Sequence, residues 1–227
     1  MFVRRANLRT RDSGALTERS GGSREIGFWL LLLGSWIMLN SPAWPNQLLG
    51  GLGTIAFLAL AFGSLGRLRS MGMAFADWER APAKFWFLAA TLGVIGGSGG
   101  LLWARLANAR IKVADDWSVF VLQVALGPVL EEVLFRGYLI RLLYWMVKVW
   151  IQEKMIASSV VVLISAVVFG AIHLLRPATT WTEVAAITGL GAIYGFIRVT
   201  SGSSATAAVA HASYNLTLYL GTGLGHR

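Results

Sequence analysis

Long apolar runs separated by short polar segments dominate the pattern of this chain. The clearest runs cover residues 26–39, 48–65, 85–103, 156–175, 183–199 and 204–220. An α-helix needs about 20 such residues to cross the hydrocarbon core of a bilayer. Together with the apolar stretch 117–150, these runs predict an all-α fold, a polytopic transmembrane helical bundle of about six or seven spans.

Prolines interrupt the pattern at two places and predict where the chain turns. Pro42 and Pro45 lie between the first two runs, which we expect to form a hairpin rather than to begin with a cleaved signal peptide. The stretch 117–150 is too long for one span. We therefore expect a break at Gly127-Pro128, with a short piece before it and the main helix after it.

Glycine-rich segments predict close helix contacts, because small residues let helix backbones approach each other. The run 85–103 contains Gly96-Gly97 and Gly99-Gly100, which we also expect to interrupt its helix. The same kind of contact is predicted for the series Gly189, Gly191 and Gly195.

The composition is that of a membrane protein. With 56% hydrophobic and 14% charged residues, the chain lacks the polar surface of a soluble domain. It has no cysteine, which excludes disulfides, thiolate metal ligands and a cysteine nucleophile. The net charge of +9 is typical of nucleic-acid binders, but six of the 20 basic residues precede position 25, ahead of any apolar run. We therefore expect membrane lipid as a partner, and no nucleic acid.

Five ionisable side chains are embedded in the apolar second half of the chain: Glu131, Glu132, Arg136, His173 and His211. On insertion scales, a charged side chain at the centre of a membrane helix costs about 2.5–3.5 kcal/mol. Such groups therefore pair with one another or line a water-filled cavity. We expect a polar intramembrane cavity that holds a reactive site.

Helical spacing predicts different surroundings for the two adjacent glutamates. Arg136 follows Glu132 by four residues, so an ion pair between them would offset part of the burial cost of both. Glu131 has no such partner on its own helix, and burial makes an unpaired carboxylate a better base. If the flanking helices form an antiparallel hairpin that turns near Gln152, Glu131 and His173 lie at similar depth.

Two further pairs follow the same four-residue spacing on later helices. Phe169 and His173 share a face, and so do His211 and Asn215. His211 lies about halfway along its span, where it can reach the same cavity. An imidazole beside a carboxamide could donate two hydrogen bonds to a developing oxyanion.

The motifs E-E-x-x-x-R, F-x-x-x-H and H-x-x-x-N occur in this order on successive predicted helices, beginning at Glu131, Phe169 and His211. Together they resemble the CPBP family of intramembrane proteases. That family includes CAAX-processing endoproteases and the Abi-like bacteriocin self-immunity proteins. The resemblance covers residues 120–220, and every motif position is filled.

The resemblance implies a glutamate-type intramembrane endopeptidase in a prokaryotic plasma membrane. Glu131 and His173 would activate a water, His211 and Asn215 would stabilise the oxyanion, and no cofactor would be needed. Further residues would support the site, namely Glu132, Arg136 and Phe169. The substrate would be a membrane-associated or lipidated protein or peptide.

The same likeness divides the chain into four parts. Residues 1–25 form a basic arm with little expected order. Residues 26–110 hold N-terminal transmembrane helices of a kind that varies within the family. Residues 111–221 form the catalytic core, and residues 222–227 a short tail.

Three alternatives remain open at this point. Glu131, His173 and His211 could ligate zinc with a water in the fourth position, although soluble zinc proteases usually place both histidines on one helix. The same residues would suit a proton-coupled transporter, but no internal repeat supports one. A non-catalytic immunity or scaffold protein could keep all three motifs.

Overall fold

The computed structural model describes residues 33–38, 44–63, 81–107, 120–176 and 179–223, with Gly27, Leu30, Leu31 and Ile111. These ranges contain helices and turns but no strand, which confirms the predicted all-α class. The predicted basic arm 1–25 and the last tail residues, 224–227, lie outside the described residues.

The described part of the chain forms seven α-helices and two π-helical stretches. The α-helices are α1 Trp44–Gly63, α2 Ala83–Leu106, α3 Gly127–Glu132, α4 Ile140–Val147, α5 Lys154–Ile172, α6 Trp181–Ser201 and α7 Ser204–Gly223. The π-helical stretches π1 Leu122–Leu126 and π2 Val133–Leu139 flank α3, and a 3-10 turn, His173–Leu175, extends α5. Residues 33–38 are also helical and are called the N-terminal segment.

Three of these helices are long and apolar enough to cross a membrane. They are α2, α5 with its terminal turn, and α6, and they correspond to the predicted spans 85–103, 156–175 and 183–199. The chain is thus a helical membrane protein. The total of six or seven spans stays a prediction, because only the described ranges could be assessed.

The predicted break at Gly127-Pro128 is wrong. Pro128 lies in the first turn of α3, and Leu126 before that helix already has helical φ and ψ angles of −69° and −44°. A proline is tolerated in a first helical turn because the N–H that it lacks would have no partner there. Pro45 likewise lies in the first turn of α1 rather than in a turn between helices.

The glycines of α2 do not interrupt it, so that expectation is also wrong, but the predicted close contact is confirmed. A Cβ on Gly97 would lie 2.6 Å from Thr217 Cβ of α7, and one on Gly93 would collide with the Ala210 carbonyl oxygen. The helix stays continuous because close packing of its backbone against α7 compensates for the side chains that glycine lacks.

Glycines also set the packing of α5 against α6. A Cβ on Gly195 would lie 2.9 Å from Val162, and one on Gly191 would lie 3.0 Å from Phe169. These two positions confirm the predicted contact. Gly189 does not take part, since a Cβ there would have no neighbour within 4 Å.

The order of the glycine contacts fixes the helix directions. Along α2 and α7, the residue numbers of the contacting positions increase together, so these helices are parallel. Along α5 and α6, the numbers change in opposite directions, so these helices are antiparallel. A tight connection at Gly202, whose φ is 75°, joins α6 to α7. The starts of α2, α5 and α7 therefore lie at one end of the bundle, called the hairpin end, and Arg176 lies at the opposite end, called the Arg176 end.

The hairpin between α4 and α5 turns at residues 148–153, as expected, and the Glu153 side chain caps α5. Ser165 Oγ lies 3.5 Å from the Phe135 carbonyl oxygen, and Ile140 packs against Val161. Both contacts lie about one turn from the register expected for a turn near Gln152, because the loop is centred before that residue.

Candidate active site

Glu131 and Glu132 are the last two residues of α3, and both are buried, with relative exposures of 6% and 0%. The backbone changes to π-helical geometry immediately after them. Single π-turns inside helices are frequent at functional sites, where they redirect side chains. Here the π-helical stretch π2 begins directly after the two adjacent glutamates.

Glu131 is held by two side chains from other parts of the chain. The indole Nε1 of Trp36, in the N-terminal segment, donates to Glu131 Oε1 at 3.0 Å. Arg176 Nη2 donates to the same oxygen at 3.1 Å. As expected, Glu131 has no partner on its own helix, but it is paired with side chains from other parts of the chain. Its second oxygen, Oε2, faces His211 Nε2 at 3.9 Å.

Glu132 forms the predicted ion pair with Arg136. Arg136 Nη1 donates to Glu132 Oε1 at 3.1 Å, and Nε lies 3.1 Å from Oε2 without the angle of a hydrogen bond. Both side chains are fully buried. The guanidinium also donates to the Gly191 carbonyl oxygen at 2.8 Å and lies 4.3 Å from the centre of the Phe169 ring. The pair therefore joins π2 to α6 and α5.

His173 lies at the end of α5, where its relative exposure is 4%. Its Nδ1 is 2.7 Å from the Phe169 carbonyl oxygen, which can only accept, so Nδ1 carries the hydrogen. The neutral ring then offers Nε2 as an acceptor. Phe169 and Trp36 meet the ring edge-on at 4.9 and 5.7 Å, and Glu131 is close enough to interact with it electrostatically.

His211 on α7 connects the two glutamates. Its Nδ1 is 3.0 Å from Glu132 Oε1, and its Nε2 faces Glu131 Oε2. An ionised carboxylate only accepts hydrogen bonds, so Nδ1 is the donor to Glu132. The Tyr194 ring of α6 stacks on the imidazole, with centroids 5.0 Å apart and planes at 21°. The ring is thus fixed in orientation from two sides.

Asn215 lies one turn beyond His211 on the same helix, as predicted. Its Nδ2 donates to the Gln123 carbonyl oxygen of π1 at 2.7 Å. The amide nitrogen has two hydrogens, so one of them remains available for a second acceptor. The structure therefore joins six of the predicted residues in one pocket: Glu131, Glu132, Arg136, Phe169, His173 and His211. The hydrogen bond of Asn215 goes to π1 instead.

The fit of the pocket to a metal ion can be tested from its donors. In the described ranges, no three carboxylate or imidazole side chains are arranged to hold a metal ion together. The Glu131 oxygen Oε1 already accepts from Arg176 and Trp36. The residues as arranged do not form a zinc site, so no step is derived through a metal.

Two residues of this pocket were absent from the sequence prediction. Arg176 follows His173 by three residues, a helical spacing that would have placed it near the same site. Trp36 is 95 residues from Glu131 in the chain, and no local spacing rule connects such distant positions.

The fold and the pocket define a class, namely a helical membrane protein that buries carboxylates and imidazoles together inside its bundle. Residues 113–217 match the family model described as type II CAAX prenyl endopeptidase Rce1-like. The match contains all three motifs and confirms the resemblance drawn from them. No curated protein sequence and no solved structure gave a match.

Proposed function

We propose that the protein is an intramembrane endopeptidase of the glutamate type, which hydrolyses a peptide bond with Glu131 as general base. One observation carries the proposal. Glu131 Oε2 and His211 Nε2 face each other across 3.9 Å inside a buried pocket. This gap is too wide for a direct hydrogen bond and suits a bridging water.

Glu131 and His173 share the activation of this water. Glu131 Oε2 takes a proton from the water as its oxygen attacks the carbonyl carbon of the substrate. The Nε2 atom of His173 is an acceptor that can hold the second hydrogen of the water, because Nδ1 is bonded to the Phe169 carbonyl. When the tetrahedral intermediate collapses, the C–N bond breaks and the proton passes from Glu131 to the leaving amine.

His211 and Asn215 are the groups that would stabilise the oxyanion. When both ring nitrogens of His211 carry hydrogen, Nδ1 donates to Glu132 and Nε2 is available for the developing negative charge. The second Asn215 N–H is available for the same purpose. Three further residues support this arrangement. Arg136 holds Glu132, and it contacts Phe169, which meets the His211 ring edge-on.

The substrate that we propose is a membrane-associated or lipidated protein or peptide. Two observations support it: the description of the matching family as prenyl endopeptidases, and the position of the pocket among helices with apolar outer faces. We propose that membrane lipid surrounds the protein. The proposed location is a prokaryotic plasma membrane, which the chain would cross several times.

Cleavage of a prenylated peptide by the purified protein in detergent tests this function, with new peptide termini measured by mass spectrometry. We expect Glu131→Gln and His173→Ala to abolish cleavage, because each removes a group that contacts the attacking water. Glu153→Gln serves as the matched control, since Glu153 is an exposed cap of α5 at the hairpin end. Activity that survives Glu131→Gln would refute the proposal, and proton uptake without cleavage would favour a transporter.

Exhaustive chelation of the same preparations tests the metal-free mechanism. We expect the cleavage rate to be unchanged, since the proposed steps use only side chains and water. Activity that is lost on chelation and regained with zinc would establish the alternative set of Glu131, His173 and His211 as ligands.

A further inference from the structure

We propose that Arg176 and Trp36 are positioning residues for the catalytic carboxylate. They hold Oε1 of Glu131, so that Oε2 is presented to His211 and the attacking water. This inference rests on the proposed function, because it concerns how Glu131 acts as the base. Neither residue belongs to the three sequence motifs of the site.

The two donors approach one oxygen from different elements. Trp36 belongs to the N-terminal segment and donates at 3.0 Å, whereas Arg176 follows α5 and donates at 3.1 Å. The terminal torsion of a glutamate is soft and has broad minima, so an unheld carboxylate can exchange its two oxygens by rotation. A charge-assisted hydrogen bond and an indole hydrogen bond on the same atom prevent this exchange.

The Trp36 ring also lies close to Arg176 and His173. The Arg176 guanidinium lies 5.4 Å from the centre of the indole, and His173 meets the indole edge-on at 5.7 Å. One aromatic side chain therefore contacts the base, the arginine and the histidine. Fixing Trp36 fixes the distances among these three groups.

The exposure of the arginine argues for a functional rather than a stabilising contact. The Arg176 side chain is 41% exposed, whereas that of Glu131 is 8% exposed. Ion pairs with an exposed partner add little to folding stability, because water competes with them and ordering the side chain costs entropy. Removing Arg176 should therefore leave the fold intact, and its effect on activity can be measured directly.

Steady-state kinetics on the prenylated peptide test the proposal with four variants of the full chain. We expect Arg176→Gln and Trp36→Phe each to lower kcat by about 10²-fold, the size of effect that a small misplacement of a catalytic group produces. KM should stay within about twofold, because positioning acts on the reacting groups rather than on substrate binding. Arg176→Lys should restore part of kcat, since it keeps a charged donor.

The controls separate positioning from folding. Trp36→Phe removes the indole N–H and keeps a smaller aromatic ring, so its thermal midpoint in detergent is measured alongside kcat. Arg105→Gln removes an exposed arginine of α2 and should leave kcat unchanged. The proposal is overturned if Arg176→Gln behaves like Arg105→Gln, or if it raises KM and leaves kcat unchanged. The second result would make Arg176 a substrate-binding residue.

A cross-linking measurement keeps the test independent of turnover. Because the chain has no cysteine, Trp36→Cys and Arg176→Cys introduce the only two thiols. A short bifunctional thiol reagent should join them, and it should not join the control pair Trp36→Cys and Glu153→Cys, because Glu153 lies at the hairpin end. Absence of the first cross-link would refute the geometry. If wild-type protein cleaves nothing but the cross-link forms, the proposed function fails although the geometry is present.

Discussion

At the residue scale, Glu131 and Glu132 are neighbours in sequence with different tasks. Glu132 is fully buried and is neutralised by Arg136, while its Oε1 also accepts from His211. Removing one partner of a buried ion pair typically costs about 3–5 kcal/mol, because the other charge is left uncompensated. Glu132 therefore fixes the imidazole, whereas in the proposed mechanism Glu131 Oε2 accepts the proton of the attacking water.

The stacking of Tyr194 on His211 leads to a prediction at the same scale. Tyr194 is buried, and its hydroxyl has no hydrogen-bond partner among the described residues. Tyr194→Phe keeps the stack and removes a buried polar group whose burial costs about 1–3 kcal/mol. We expect unchanged kcat and a thermal midpoint in detergent that is equal or higher.

The comparison variant Tyr194→Leu removes the stacked ring. His211 then loses one of its two orientating contacts, and we expect kcat to fall by about tenfold or more. Tyr144→Phe, in the hairpin away from the pocket, is the matched control for loss of a tyrosine hydroxyl. A large loss of kcat in Tyr194→Phe would show instead that the hydroxyl itself takes part in the reaction.

Residue spacing alone predicted the local contacts of this site. The four-residue rule gave the Glu132–Arg136 pair and the shared face of Phe169 and His173, because such neighbours meet on any helix. It could not give Trp36 as a partner of Glu131. Trp36 reaches it through tertiary packing alone, and no pattern within one helix encodes such a contact.

At the element scale, glycine contacts hold α2 against α7. Gly93 and Gly97 occupy positions where a Cβ would meet the backbone or side chains of α7, whereas a Cβ on Gly99 would have no neighbour within 4 Å. Composition predicted these contacts, but it could not distinguish the glycines that face α7 from those that do not. That distinction depends on how α2 is rotated, which neighbouring helices decide.

Substituting these glycines with alanine tests the interface. Gly97→Ala should destabilise the protein by about 1–3 kcal/mol, the usual effect of overpacking, and should lower activity because α7 carries His211. Gly99→Ala lies in the same helix and should be neutral or slightly stabilising, because alanine favours helix more than glycine does. Thermal unfolding in detergent measures both, and equal effects would contradict the assigned interface.

The element pattern was predicted better than the details within the elements. Apolar runs located α2, α5 and α6 within a few residues, since length and hydrophobicity determine a span. The predicted break at Gly127-Pro128 assumed that a proline ends a helix, but the backbone stays helical through it. The register of the hairpin between α4 and α5 depends on where its loop is centred, which hydrophobicity alone does not determine.

At the scale of the whole molecule, charge differs between the two ends of the bundle. In the described ranges, the hairpin end carries Lys84, Lys148, Lys154 and Arg198, together with Glu153. The Arg176 end carries Arg105 and Arg176, together with Glu183. Positive side chains are enriched on the cytoplasmic side of membrane proteins. The difference favours a cytoplasmic hairpin end and an Arg176 end on the opposite side.

Cysteine labelling tests this orientation, because the chain has no cysteine of its own. In intact cells, Gln152→Cys should resist a membrane-impermeant thiol reagent, and Thr179→Cys should react. Inverted vesicles should give the opposite pattern. The reverse result would place the hairpin end outside and would move the exposed Arg176 to the cytoplasmic face.

The hydrogen bonds of the two glutamates reach far along the chain in both directions. Trp36 precedes Glu131 by 95 residues, and His211 follows Glu132 by 79. The ribosome must therefore release α7 before the pocket can close. Until then, a nascent copy has no His211 to hold between the two glutamates, so a complete set of polar groups forms only late in synthesis.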